Sequence, residues 1–204
     1  DLFCTFCIVP VARGRSRSVP MRDVVDEIER LQARGYREAV LTGVHLGGYG
    51  DDLDPACDLA TLLECIAERR PQLRVRVSSV DPPELTERLV DVLADTSVFC
   101  PHLHVPRQAG DDAVLERMRR RYTTAEARRA LARVRDRIPD VAIGTDVITG
   151  FPGETVEDHA STRALIEELP FTYLHVFPYS PRADTAAVGM PNPVPQRVAG
   201  ERAR

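Results

Sequence analysis

Short apolar runs of strand length alternate with segments of helical period along most of the chain, and this alternation restricts the fold more than any other feature of the sequence. Met21, Val24, Val25, Ile28 and Leu31 recur at helical spacing after Pro20, and Gly35 ends the run. "EAVLTGV" follows, too brief for a helix and of a composition that suits a buried strand. The pattern then repeats. Leu59, Leu62, Leu63 and Ile66 predict a helix, "LRVRVSS" a strand, Leu85, Leu89, Val92 and Leu93 a helix, and "VFCPHLHVP" a strand. "DDAVLERMRRR" and "TAEARRALARVRDRI" read as consecutive helices, "VAIGTDVITG" as a strand, "TVEDHASTRALIEEL" as a helix and "FTYLHVF" as a fifth strand. Strands alternating with helices pair in parallel through right-handed crossovers, so the expected class is α/β. Periodicity alone does not choose between a barrel and a doubly wound sheet, but both place their chemistry in loops at the carboxyl ends of the strands.

Length and composition agree with one folded domain. The chain has 204 residues, 43% hydrophobic and 28% charged, and no apolar run long enough to span a membrane. With no signal peptide and an odd count of 5 cysteines, the expectation is a cytoplasmic protein with reduced thiols. All 27 Lys and Arg positions are Arg, a bias that genomic base composition explains better than function does. A net charge of −4 argues against wholesale coating of nucleic acid. Basic residues nevertheless cluster locally, at Arg13, Arg15 and Arg17 and again at Arg117, Arg119, Arg120 and Arg121. The tail "AVGMPNPVPQRVAGERAR", with three closely spaced prolines, reads as a linker.

Cys4 and Cys7 in "FCTFC" have the two-residue gap that lets both sulfurs reach one metal or cluster. A thioredoxin-like pair would open a helix directly after a strand, whereas Pro10 and "ARGRS" follow here. A zinc site needs a second pair of ligands, and Cys57, Cys65 and Cys100 are scattered on apolar faces, where free cysteine is ordinary core material. "GDDLDPACD" lacks the glycine and terminal glutamate of a calcium loop, and "GFPGE" lacks the spacing of a dinucleotide or phosphate loop. His102 and His104 read as strand residues, while His45, just past a strand end, is the better placed to face a site.

"DLFCTFCIVPVARGRSRS" resembles the cluster loop of radical S-adenosylmethionine enzymes, C-x-x-x-C-x-x-C, and within them that of the methylthiotransferases. On that pattern the first cysteine belongs immediately before Asp1. "LTGVHLGGYG" is similar to the branch acting on threonylcarbamoyladenosine in tRNA, and "RVRVSSVDPPEL", "HLHVPRQAGDDAVLERMRRRYT", "IGTDVITGFPGET" and "YLHVFPYSPR" resemble successive family blocks. Arg107 and Ala109 depart from a block more often read as Leu-Gln-Ser-Gly.

The resemblance implies a partial (β/α)6 TIM-type barrel with parallel strands, truncated at its N-terminal edge. Residues 1–187 would form the radical core, and 188–204 a linker toward an RNA-binding domain. It implies a [4Fe–4S] cluster on Cys4, Cys7 and the cysteine before Asp1, with an open iron that chelates S-adenosylmethionine. Phe6 would lie beside the adenine, Gly43 near the methionine amino group, Ser79, Gln108 and Asp146 at the methionine and ribose polar groups, and Arg120 at the carboxylate. A second [4Fe–4S] cluster is implied in a preceding domain. The implied partners are a tRNA anticodon loop, with Arg13, Arg15 and Arg17 on its phosphates, and a reductant protein, the enzyme itself being a monomer. The competing readings are a methylthiotransferase for isopentenyladenosine or a ribosomal protein, and a noncatalytic metal- or RNA-binding module.

Overall fold

The computed structural model describes residues 2–204, which fold as two compact units. The first comprises residues 15–104 and 130–142, the second residues 2–14, 105–129 and 143–204. Elements in chain order are α1 (Val9–Arg13), α2 (Met21–Ala33), β1 (Glu38–Leu41), α3 (Leu59–Arg69), β2 (Arg74–Val77), α4 (Glu87–Leu93), β3 (His102–His104), α5 (Asp112–Arg117), α6 (Thr124–Arg137), β4 (Ala142–Thr149), α7 (Val156–Glu168), β5 (Tyr173–Pro178) and α8 (Gln196–Arg202). All five expected strands are present, and none of the helices is long and apolar enough to cross a membrane among the described residues.

In the first unit β1 and β2 pair in parallel, from Glu38 opposite Arg74 to Leu41 opposite Val77. The chain entering and leaving β3 continues the ladder, with parallel bridges from Val75 to Phe99 and from Ser79 to His104. Leu62, Leu63 and Ile66 of α3 and Leu89, Val90 and Leu93 of α4 are all buried, together with Val75 and Val77 of β2. Each such side chain contributes roughly 1.5–3 kcal/mol by leaving water. Asp58 caps α3 by accepting the Thr61 N–H at 2.8 Å, and Thr86 caps α4. Glu38 holds Arg74 at 2.9 Å and Arg76 at 2.7 Å, and those guanidinium bonds keep its carboxyl below the ordinary range.

In the second unit β4 and β5 are parallel, with Asp146 opposite His175. Residues 105–108 run beside β4: Val105 N–H donates to Gly144 O, and Gln108 N–H to Asp146 O, each at 2.8 Å. Ala109, Val114, Leu115, Met118, Tyr122 and Phe151 form the core of this unit.

The stretch 188–204 is not the linker its prolines suggest. A 3-10 turn over Ala186–Gly189 leads into α8, whose Ala199 is fully buried. Thr149 Oγ1 donates to Ala199 O at 2.9 Å, Gln196 Nε2 to Tyr179 O at 2.9 Å, and Arg202 Nη1 to Glu154 O at 3.1 Å. Pro195 stands at the N-cap, where the missing N–H costs nothing, so the proline introduces a helix rather than preventing one. The helix expected over "DDAVLERMRRR" also ends early, at Arg117. Arg119 takes left-handed φ 57°, with Arg120 N–H donating to Leu115 O and Arg119 N–H to Glu116 O, both at 2.9 Å. That is a Schellman-type stop with arginine where glycine is usual.

Candidate radical-cofactor site

The cysteine loop is tied to the end of α5 rather than to a strand. Thr5, between the two cysteines and only 2% exposed, donates its hydroxyl to Arg117 O at 2.8 Å and its N–H to Met118 O at 3.1 Å. Cys7 N–H donates to Cys4 O at 3.1 Å, closing a tight turn that leaves both thiols half-buried and reduced. α1 follows directly, a short helix that the sequence pattern had not indicated.

Arg120 is not on a solvated helix face. Its guanidinium lies 3.5 Å from Cys4 Sγ, bonds Pro106 O at 3.2 Å and Tyr122 Oη at 3.3 Å, and stacks 5.2 Å from the Tyr122 ring centroid. Tyr122 in turn donates to Arg107 O at 2.9 Å. Phe6 packs edge-on to Phe151 at 6.4 Å, half-buried.

Gln108 and Asp146 meet along the same strand edge. Gln108 sits at φ 66°, a left-handed conformation strained for a side chain of this size, and its amide has no partner among the described residues. Asp146, half-buried, holds His175 Nδ1 at 3.1 Å. On the open face of β5, His175 stands between Tyr173 and Phe177, with ring centroids at 5.4 and 6.3 Å.

In the first unit Gly43 and Ser79 are both exposed, just beyond the carboxyl ends of the paired strands β1 and β2. Past them lies an arrangement of which the sequence suggested only half. His45 Nε2 is hydrogen-bonded to Glu84, whose other oxygen accepts the Asp81 N–H at 2.9 Å. A Cβ on Gly47 would fall 1.9 Å from Glu84 Oε2, and one on Gly48 2.8 Å from His45 Nδ1. The two glycines make room for the pair, and that dependence carries no signature in the sequence. Arg15 and Arg17 are exposed in this unit, as is Arg13 in the other. Cys100 is buried beside Glu38, whereas Cys57 and Cys65 are half-buried.

The family model of the radical SAM superfamily matches residues 1–166. The chain belongs to the radical SAM superfamily. It is 42% identical, over 100% of its length, to a protein of Rickettsia prowazekii named threonylcarbamoyladenosine tRNA methylthiotransferase MtaB, covering 48% of that protein. It is 40% identical over 98% of its length to a Thermoanaerobacter protein named tRNA-2-methylthio-N(6)-dimethylallyladenosine synthase, covering 42% of it. The chain thus spans about half the length of the curated relatives it matches. Among solved structures it resembles the radical S-adenosylmethionine methyltransferase TsrM of Kitasatospora setae, with TM-score 0.74 and 23% identity over 91% of this chain and 36% of that one. It also resembles coproporphyrinogen III oxidase (HemN) of Escherichia coli, with TM-score 0.67 and 17% identity over 98% of this chain and 48% of that one.

These likenesses give the expected fold, an α/β architecture of the radical SAM partial-barrel type with parallel strands. Superfamily members bind a [4Fe–4S] cluster and S-adenosylmethionine. The donor set in the second unit fits the cluster: two adjacent, accessible soft thiols on a loop pinned at Thr5, with a guanidinium beside one of them.

Proposed function

We propose that residues 1–204 form the radical-generating part of a tRNA methylthiotransferase that adds a methylthio group at C2 of N6-threonylcarbamoyladenosine next to the anticodon. The observation that carries this reading is the pinned Cys4–Cys7 turn with Arg120 beside it, in a chain similar along its whole length to named tRNA methylthiotransferases. Between the threonylcarbamoyl and isopentenyl substrates, the segment "LTGVHLGGYG" favours the former, as does the Rickettsia relative.

Bound by Cys4, Cys7 and a third thiolate, the cluster with S-adenosylmethionine supplies one-electron reductive cleavage of the sulfonium carbon–sulfur bond. Thr5 fixes the loop, so the thiols do not reorganise when iron binds. Arg120 offsets their negative charge and presents a fork to a carboxylate. In the unit of the cysteine loop, the uncommitted amide of Gln108 and the carboxylate of Asp146 orient the polar groups of the cosubstrate and Phe6 covers its adenine, while the family resemblance alone assigns Gly43 and Ser79 to its methionine end. The second [4Fe–4S] cluster, a reductant protein and further RNA-binding surface belong to the same reading, in which the enzyme is a cytoplasmic monomer. Arg13, Arg15 and Arg17 then meet phosphates of the anticodon loop.

Mass spectrometry of tRNA nucleosides from a strain lacking the gene tests the assignment. Loss of the methylthio group from threonylcarbamoyladenosine alone is expected. Its persistence there, with loss from isopentenyladenosine or from a ribosomal protein, would move the substrate to that branch.

A further inference from the structure

The run Arg117–Arg121 is one basic cluster in sequence, but the structure divides it by task. Arg117 is committed to Asp158 at 3.0 Å and to Gly153 O at 3.2 Å. Arg120 faces Cys4. Arg119 and Arg121 are exposed, their guanidinium groups have no acidic or hydrogen-bonding partner among the described residues, and they line a depression of about 740 Å³ with Phe3, Tyr122 and Glu116. Two other carboxylates on its wall are already engaged by backbone: Glu126 accepts the Thr123 N–H at 2.7 Å and Asp112 the Thr124 N–H at 2.6 Å.

Behind the Tyr122 ring lies a second, independent observation. Arg107 is 2% exposed, its guanidinium carbon 5.5 Å from the ring centroid. None of its three guanidinium nitrogens has a hydrogen-bond partner among the described residues. A cation without hydrogen-bond partners in a low-dielectric interior projects its field farther than a solvated one. Tyr122 is therefore flanked by Arg107 and Arg120, with Arg119 and Arg121 at the rim, and these four guanidinium groups outnumber the three carboxylates Asp112, Glu116 and Glu126 among the described residues of the wall.

We propose that this depression is a phosphodiester-binding site, at which the backbone of the RNA substrate rests on Arg119 and Arg121 while its target base is presented to the cysteine loop. The inference rests on the RNA reading above and adds a contact surface to it. Phe3, 59% exposed at the same wall, offers a face for an unstacked base, the usual companion of phosphate contacts to single-stranded RNA.

The test uses the full-length enzyme and an anticodon stem-loop carrying threonylcarbamoyladenosine, with affinity measured by fluorescence anisotropy across a potassium chloride series. Replacing Arg119 and Arg121 together by Gln is expected to weaken binding about tenfold and to reduce the salt slope by roughly 1.4, two single-strand phosphate contacts. Arg107→Leu, which leaves the surface untouched, is expected to weaken binding about threefold. Formation of 5′-deoxyadenosine without RNA stays at the parent level in both. A parent salt slope in the double variant overturns the proposal, and so does loss of inorganic-phosphate binding with RNA affinity intact, which would assign the site to a free anion. If the parent binds no tRNA, the functional reading falls and this site with it. If it binds only the isopentenyladenosine stem-loop, the substrate choice alone falls, and the double variant's altered slope on that RNA still supports the site.

Discussion

Arg107→Leu should make the protein more stable. The side chain is almost wholly buried, its guanidinium has no hydrogen-bond partner among the described residues, and burial pushes its pKa below the ordinary arginine value. Replacing buried charge by an apolar side chain of similar bulk is typically neutral or stabilising by about 1–4 kcal/mol. Against that stands the contact with the Tyr122 ring, 5.5 Å from the guanidinium carbon, worth roughly 1–2 kcal/mol when desolvated. The backbone contacts of residue 107, its N–H to Thr145 Oγ1 at 3.1 Å and its carbonyl from Tyr122 Oη at 2.9 Å, do not depend on the side chain. Taking the middle of each range, the net expectation is a gain of about 1 kcal/mol, or roughly 2–4 °C in Tm for a chain of this size. Scanning calorimetry of parent and variant measures it directly. Arg107→Lys is the informative control, since a lysine keeps the charge but loses the planar stack and should lower Tm. An Arg107→Leu variant with unchanged or reduced Tm would refute the reasoning, because it would mean the guanidinium is compensated.

Two other perturbations act on a buried ion pair and on a half-buried imidazole. Arg202→Ala strips the partner from Glu154, whose side chain is 3% exposed, and should cost about 3–5 kcal/mol by urea denaturation, while adding Glu154→Gln should recover much of it, because an amide oxygen still accepts the Gly150 N–H. Burial holds His159 below the 6.5 of a free imidazole, so the unfolded chain takes up its proton first. Stability from this group is complete above that value and is lost as pH falls through the lower folded value. Thermal melts of His159→Gln between about pH 7 and about pH 5 should therefore drop less steeply than those of the parent, and parallel curves would contradict this.

The elements that periodicity located were those whose burial is one-sided or complete over several residues. Leu62, Leu63 and Ile66 repeat often enough to announce α3, and Ile143, Thr145, Val147 and Thr149 are buried along β4. α8 escaped because Ala199 is its one fully buried contact, too little apolar surface to produce a period, and because the prolines before it look like breakers. Cys4 and Cys7 were legible from spacing, but Thr5 was not, since a lone threonine gains its role from where the end of α5 happens to lie. Glu84 was missed for a related reason. Its pairing with His45 depends on two glycines 37 and 36 positions away in the chain, and neither residue type alone distinguishes that arrangement from an ordinary turn.

The departures from local preference are concentrated in the unit that carries the cysteine loop. Arg119 and Gln108 occupy left-handed backbone without being glycine, Arg107 is buried without a hydrogen-bond partner, and Gln108 keeps its amide uncommitted. Each costs stability, and a chain selected for stability alone would replace all of them with residues the same backbone accepts more readily. In the other unit, helices are capped at Asp58 and Thr86 and the carboxylate of Glu38 is satisfied. A cluster and its cosubstrate need polar groups already in position when they arrive. On the reading proposed above, the amide of Gln108 is such a group and stays uncommitted in the protein alone, whereas Arg107 and Arg119 serve the RNA surface instead.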